Sequence, residues 1–153
     1  MFANGLTYLA IPGPSVMPER VLRAMHRAAP NIYTGELHEL TLSLLPDLKA
    51  IAGTHHDVAI YIGNGHGVWE AALSNILSEG DTVLVLATGR FCIGWGEMAE
   101  GLGAAVETID FGNSDAVDLT QVEAVLKADT TGRIKAVLTV LVDTSTGVLN
   151  NIK

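Results

Sequence analysis

The chain has 153 residues, 48% of them hydrophobic and 17% charged, with a formal net charge of −8. That is one domain's length with enough apolar mass for a core, and no apolar run approaches the roughly 18 residues of a membrane span. The negative balance argues against nucleic acid or an anionic membrane as the main partner, while the single cysteine, Cys92, excludes an internal disulfide and fits a reducing cytoplasm.

In chain order, Met1-Phe2-Ala3-Asn4-Gly5 shows neither the charged nor the apolar region of a signal peptide. An N-terminal arm over residues 1–16 ends in Ile11-Pro12-Gly13-Pro14-Ser15, whose prolines and glycine mark an extended turn. Pro18 and Glu19 suit the first turn of a helix carrying Val21, Leu22 and Met25 and stopping near Pro30. A second helix is expected over 35–52, with Leu37, Leu40, Leu44, Leu45, Leu48 and Ile51 on one face and a kink at Pro46. Val58-Ala59-Ile60-Tyr61-Ile62 reads as a buried strand and residues 67–77 as a helix. Strands are expected over 82–87, 105–111 and 134–142, and helices over 91–102 and 119–128. Strands alternating with helices across short loops make parallel βαβ units, so the fold class is α/β, an α/β/α sandwich with a mainly parallel sheet. No internal repeat, low-complexity tract or linker interrupts it.

The most informative run is Gly63-Asn64-Gly65-His66-Gly67, between the expected strand and its helix. Glycines let the backbone approach a ligand closely, the free amides of a helix N-terminus point at it, and the helix dipole favours an anion. A phosphate group is the ligand this chemistry suits. The run is not Gly-x-Gly-x-x-Gly, because Val68 stands where the third glycine falls, and there is no Gly-Lys-Ser/Thr. In parallel sheets ligands lie beyond the carboxyl ends of the strands. Two more suggestive runs fall at such ends, Thr88-Gly89-Arg90-Phe91-Cys92 and Asp143-Thr144-Ser145-Thr146-Gly147. His55-His56-Asp57 lacks a further ligand set, and no metal site is expected. His66 reads as a positional residue rather than a general base, Glu70 as orienting the turn, and Trp69 as core packing. Trp95, one helical turn after Phe91, reads as packing too. Nothing around Cys92 signals an activated thiol.

Four runs together resemble the large domain of a class V pyridoxal-phosphate aminotransferase, of the serine/alanine–glyoxylate aminotransferase group. They are Pro12-Gly13-Pro14-Ser15 with Pro18 and Val21-Leu22-Arg23-Ala24-Met25, then Gly63-Asn64-Gly65-His66-Gly67 with Glu70-Ala71-Ala72. Gly89-Arg90-Phe91 and Asp143-Thr144-Ser145-Thr146-Gly147-Val148 complete them, the last where the family has Glu-Thr-Ser-Thr-Gly-Val. The resemblance implies a fold-type I domain, with residues 17–153 as the N-terminal portion of the large domain that binds pyridoxal 5′-phosphate (PLP). It implies that the amides of Gly65 and His66, with the Asn64 side chain, hold the phosphate. Phe91 would stack on the pyridine ring, and Thr144 would hydrogen-bond its phenolic oxygen or sit beside it.

The same resemblance implies a homodimer that moves an amino group from a small amino acid, serine or alanine in type, to a 2-oxo acid such as glyoxylate or pyruvate. Its Schiff-base lysine and the aspartate that keeps the pyridine nitrogen protonated are expected beyond residue 153, with the small domain, so the 153 residues alone are expected to be inactive. A further departure is Ile32-Tyr33-Thr34-Gly35, where the family often has His-Arg near the active-site entrance. Two other readings are a class V lyase or desulfurase, and a non-catalytic nucleotide-binding α/β module. The second lacks an acidic residue to hold a ribose after the 82–87 strand, where Ala87-Thr88-Gly89 stands.

Overall fold

Two units divide the chain, Met1–Tyr61 and Ile62–Lys153. The structure, a computed structural model, describes residues 8, 9, 11, 13 and 15–152, so the turn expected at Pro12 and Pro14 lies outside the described residues.

In the first unit, α1 (Glu19–Met25) begins after Pro18, whose carbonyl accepts from the amides of Val21 and Leu22. It ends at Met25, five residues short of Pro30. Helix α2 (Glu36–Ala52) carries Glu36 and Glu39 in its first turn and Lys49 in its last, the arrangement that suits the helix dipole. It runs unbroken through Pro46 and stops at Gly53, which sits in the left-handed region at φ 61°. There the Thr54 amide donates back to the Lys49 carbonyl at 3.0 Å, closing the last turn.

The second unit contains α3 (Gly65–Ile76), β1 (Thr82–Ala87), α4 (Arg90–Gly101), β2 (Ala105–Asp110), α5 (Leu119–Ala128) and β3 (Ile134–Leu138). Its three strands form one parallel sheet in the order β2-β1-β3. Central β1 is buried at all six positions, as a strand covered on both faces should be. Because side chains alternate across a sheet, Val83, Val85 and Ala87 pack on one side with Leu73, Cys92, Ala99 and Leu138. Leu84 and Leu86 pack on the other with Phe111 and Val122. Each Leu or Val so buried contributes about 1.5–3 kcal/mol relative to exposure. Helix α4 lies close on its face of the sheet. A Cβ added at Gly96 would meet Val85 Cγ2 at 2.7 Å, so only glycine fits there without a shift.

Two expected strands differ from the structure. Residues 58–62 are not a strand. An extended apolar segment becomes one only by pairing its N–H and C=O groups with a neighbour, and the sheet holds β2, β1 and β3 alone among the described residues. The long strand expected over 134–142 ends at Leu138. Beyond it the chain turns back on itself through a Val142–Leu149 antiparallel bridge, which encloses the 143–147 loop.

Candidate cofactor site

Asn64 starts the first part of the site. It is extended (φ −102°, ψ −176°), and its Oδ1 accepts from the Gly67 amide at 3.2 Å. It is therefore the N-cap, and α3 begins at Gly65 rather than at the expected Gly67. The carbonyl end of Asn64 is engaged inside the turn. Gly65 and His66 become the first two helical residues, with no acceptor for their amides in the helix, and no other group among the described residues accepts from them. Two amides at this helix N-terminus are thus without an acceptor among the described residues.

The second part is the start of α4. Its N-cap, Gly89, has no side chain, and the helix is capped from a distance instead. Oδ2 of Asp143 accepts from the amides of Phe91 and Cys92 at 2.9 and 3.3 Å. Oδ1 of Asp143 accepts from the Ser145 amide at 3.0 Å and from its hydroxyl at 2.6 Å. Ser145 Oγ in turn accepts from the Arg90 amide at 3.0 Å. Thr146 Oγ1 donates to the Thr88 carbonyl at 2.9 Å. Beneath, the buried Asn150 donates through Nδ2 to Thr88 Oγ1 and to the Val140 carbonyl at 3.0 and 2.8 Å, and accepts from the Val117 amide at 3.0 Å. The 143–147 loop, which carries the exposed Thr144, is bound in this way to the end of β1 and the start of α4.

Asp143 has no solvent exposure. Burial alone would push its carboxyl up. The hydrogen bonds from Ser145 and from the Cys92 and Phe91 amides outweigh that and hold it below the usual carboxylate range. The neighbouring Cys92 behaves oppositely. Burial first, and the Asp143 charge as well, push its thiol up to about 11. Its Sγ lies 3.3 Å from the Leu138 carbonyl, so this is a packed, inert cysteine, as its surroundings in the sequence suggested.

Aromatic rings join the two helix N-termini. His66 and Trp69 on α3 meet edge to face at 4.9 Å between centroids, and His66 lies 6.1 Å from Phe91. Trp69 meets Phe91 at 6.3 Å in a T arrangement, and Trp95 at 5.2 Å with only 12° between the planes. One face of Trp95 is therefore covered by Trp69, while half-buried Phe91 borders a pocket of about 310 Å³ with His66, Arg90, Ile93, Gly94 and Glu97. Gly65, His66, Phe91 and the Thr144 loop gather around α3, α4 and the carboxyl ends of β1 and β3, the place where α/β sheets take ligands.

Gly89, Thr88, Asp143 and Asn150 were not singled out for a role in the sequence. A glycine before a helix and an aspartate in a turn are common, and these meet only because β3 pairs beside β1. Elsewhere, Asp57 of the His55-His56-Asp57 run pairs with Lys49 at 2.9 Å. No group of three or more His, Cys, Asp or Glu among the described residues is arranged to hold a metal. No helix among them is long and apolar enough to cross a membrane.

Such an arrangement, a parallel sheet with helix-start amides and an aromatic ring toward its carboxyl end, is that of an α/β domain whose ligands lie beyond the strand ends. No protein-family model matches the chain. It is 36% identical over 97% of its length to serine–glyoxylate aminotransferase of Methylorubrum extorquens, and 33% identical over 99% to that of Arabidopsis thaliana. It spans 37% and 38% of those proteins. The crystal structure of alanine–glyoxylate aminotransferase from Nostoc sp. matches 97% of the chain at a TM-score of 0.75 and 26% identity, with 41% of that structure covered. Over nearly its whole length the chain is thus similar to serine– and alanine–glyoxylate aminotransferases, and it spans little more than a third of the curated relatives' length.

Proposed function

We propose that the protein containing this chain is a PLP-dependent transaminase that moves an amino group from a small amino acid, serine or alanine in type, to glyoxylate or a similar 2-oxo acid. The observation that carries this reading is the pair of helix-start amides of Gly65 and His66, without an acceptor among the described residues, joined through the His66–Phe91 contact at 6.1 Å to an aromatic side chain beside a pocket. A phosphate and an aromatic ring on one small molecule are the groups this pairing suits, so the residues present fit PLP. The acceptor is argued from the relatives, whose names differ in the amino donor and share glyoxylate.

In this reading the Gly65 and His66 amides hold the phosphate, where the dipole of α3 favours its charge. Asn64 caps the helix that aims them and presents its remaining amide group to the same anion. Phe91 lies against the pyridine ring and leaves the other face to the substrate. Thr144 would hydrogen-bond the phenolic oxygen of the ring or sit beside it. PLP, when bound, supplies the conjugated system that takes up the electron pair released at the substrate's α-carbon. The lysine that carries PLP and the acidic partner of the ring nitrogen belong to the remainder of the protein, as does the small domain. Residues 17–153 would be the N-terminal portion of the large domain. The whole enzyme is proposed to be a cytoplasmic homodimer.

The test is a coupled assay of the full-length protein with added PLP, offering serine or alanine as donor and glyoxylate or pyruvate as acceptor. Turnover dependent on PLP supports the reading. A protein that binds PLP but eliminates from its substrate, or releases sulfur from cysteine, belongs instead with the lyases and desulfurases. Absence of PLP binding overturns it.

A further inference from the structure

The ring and loop subsites proposed above sit on different elements, and a carboxylate that needs no contact with cofactor or substrate ties them together. Asp143 is fully buried, and no lysine, arginine or histidine among the described residues pairs with it. Its four acceptor contacts, to the amides of Phe91, Cys92 and Ser145 and to the Ser145 hydroxyl, suit an ionised carboxylate, which accepts and never donates. With Ser145 Oγ holding the Arg90 amide, one loop satisfies all three first-turn amides of α4. Gly89 leaves the space for this approach, since a Cβ there would lie 2.4 Å from Asp143 Cγ.

We propose that Asp143 is a positioning residue of the cofactor site. Its buried carboxylate fixes Phe91, the second residue of α4, against the loop that carries Thr144, and so sets the plane of the ring and the group at its edge as one unit. Asp143 follows β3 and Phe91 follows β1, 52 residues earlier, so no local turn can do this. The proposal rests on the reading of the site given under Proposed function.

The test uses the full-length protein, PLP titration followed by absorbance, and the circular dichroism that bound PLP acquires in its visible band. Asp143→Asn keeps the shape but replaces one acceptor oxygen by a donor, so either the Ser145 amide or the α4 amides lose their partner. The expected result is at least a tenfold rise in the Kd for PLP and a marked fall in the induced dichroism. Ser145→Ala, which removes only the hydroxyl link to Arg90 and Asp143, should give a smaller change in the same direction. Val122→Ala, in the cluster on the opposite sheet face, should lower the melting temperature and leave both PLP readouts unchanged. If Asp143→Asn does not fold, Ser145→Ala carries the comparison. Wild-type affinity and dichroism in whichever variant folds overturns the proposal, as does an equal loss in Val122→Ala. Failure of the wild-type protein itself to take up PLP overturns the underlying reading, and is seen before any variant is made.

Discussion

Gly89→Ala puts a methyl group where the Asp143 carboxylate already is. The added Cβ would fall 2.4 Å from Cγ and 2.7 Å from each carboxylate oxygen, against an optimal separation of about 3.5 Å or more. Backbone strain is not the issue, because a φ of 161° is extended backbone that any residue adopts. To make room, the carboxylate must withdraw by roughly 1 Å. That breaks its bonds of 2.9 and 3.3 Å to the Phe91 and Cys92 amides. Loss of a helix cap costs about 1 kcal/mol, and forcing a group into a packed site costs about 1–3 kcal/mol more. The sum is about 2–4 kcal/mol, which at a urea m-value near 2 kcal/mol per M lowers the unfolding midpoint by about 1–2 M. Gly94→Ala is the control. It lies in the same helix, a Cβ there meets nothing within 4 Å, and helix propensity predicts up to about 1 kcal/mol of stabilisation. Urea titrations of the two variants followed by tryptophan fluorescence decide the matter. Equal midpoints would refute the claim that Asp143 seats the start of α4.

Three further outcomes are expected. Gly65→Val should leave stability nearly unchanged, because a Cβ there meets nothing within 4 Å, yet a branched side chain at the anion-facing amide should weaken PLP binding severely in a titration. Phe91→Ala should weaken PLP retention by the about 0.5–1.5 kcal/mol of a ring contact, and Trp95→Ala should lower thermal stability with PLP affinity kept; a change in the PLP spectrum confined to the Trp95 variant would reverse that assignment. Because the folded-state Asp143 carboxyl is held below its ordinary value of 3.8, its contribution is present above the unfolded pKa of about 4 and is lost as pH falls through the lower folded value; stability measured from pH 5 down should drop, and the drop should be shallower in Asp143→Asn.

What could be read from the sequence followed the range of the interactions involved. Strand 82–87 and helix 119–128 have the same bounds in the structure, because both are set locally, the strand by a continuous apolar run and the helix start by the structure's cap, Asp118, whose carboxylate accepts from the Thr120 amide. The turn around Gly65 was legible for the same reason, although the part played by Asn64 as N-cap moved the helix start back by two residues. Strand 58–62 was misread, since apolar composition supplies the propensity but not the neighbour that a ladder requires. The cap on α4 was invisible for a related reason. Gly89 and Asp143 become meaningful together only once β1 and β3 are paired.

The two tryptophans of this chain also offer a built-in gauge. Trp69 and Trp95 stack almost parallel, 5.2 Å apart, one from each of the two helices whose N-termini make the candidate site. Indoles held that closely couple their electronic transitions, so their near-ultraviolet dichroism reports the spacing of α3 and α4 without any label. A ligand that draws the Gly65 and His66 amides and Phe91 together would register there as a change in the coupled bands, even before any chemistry occurs.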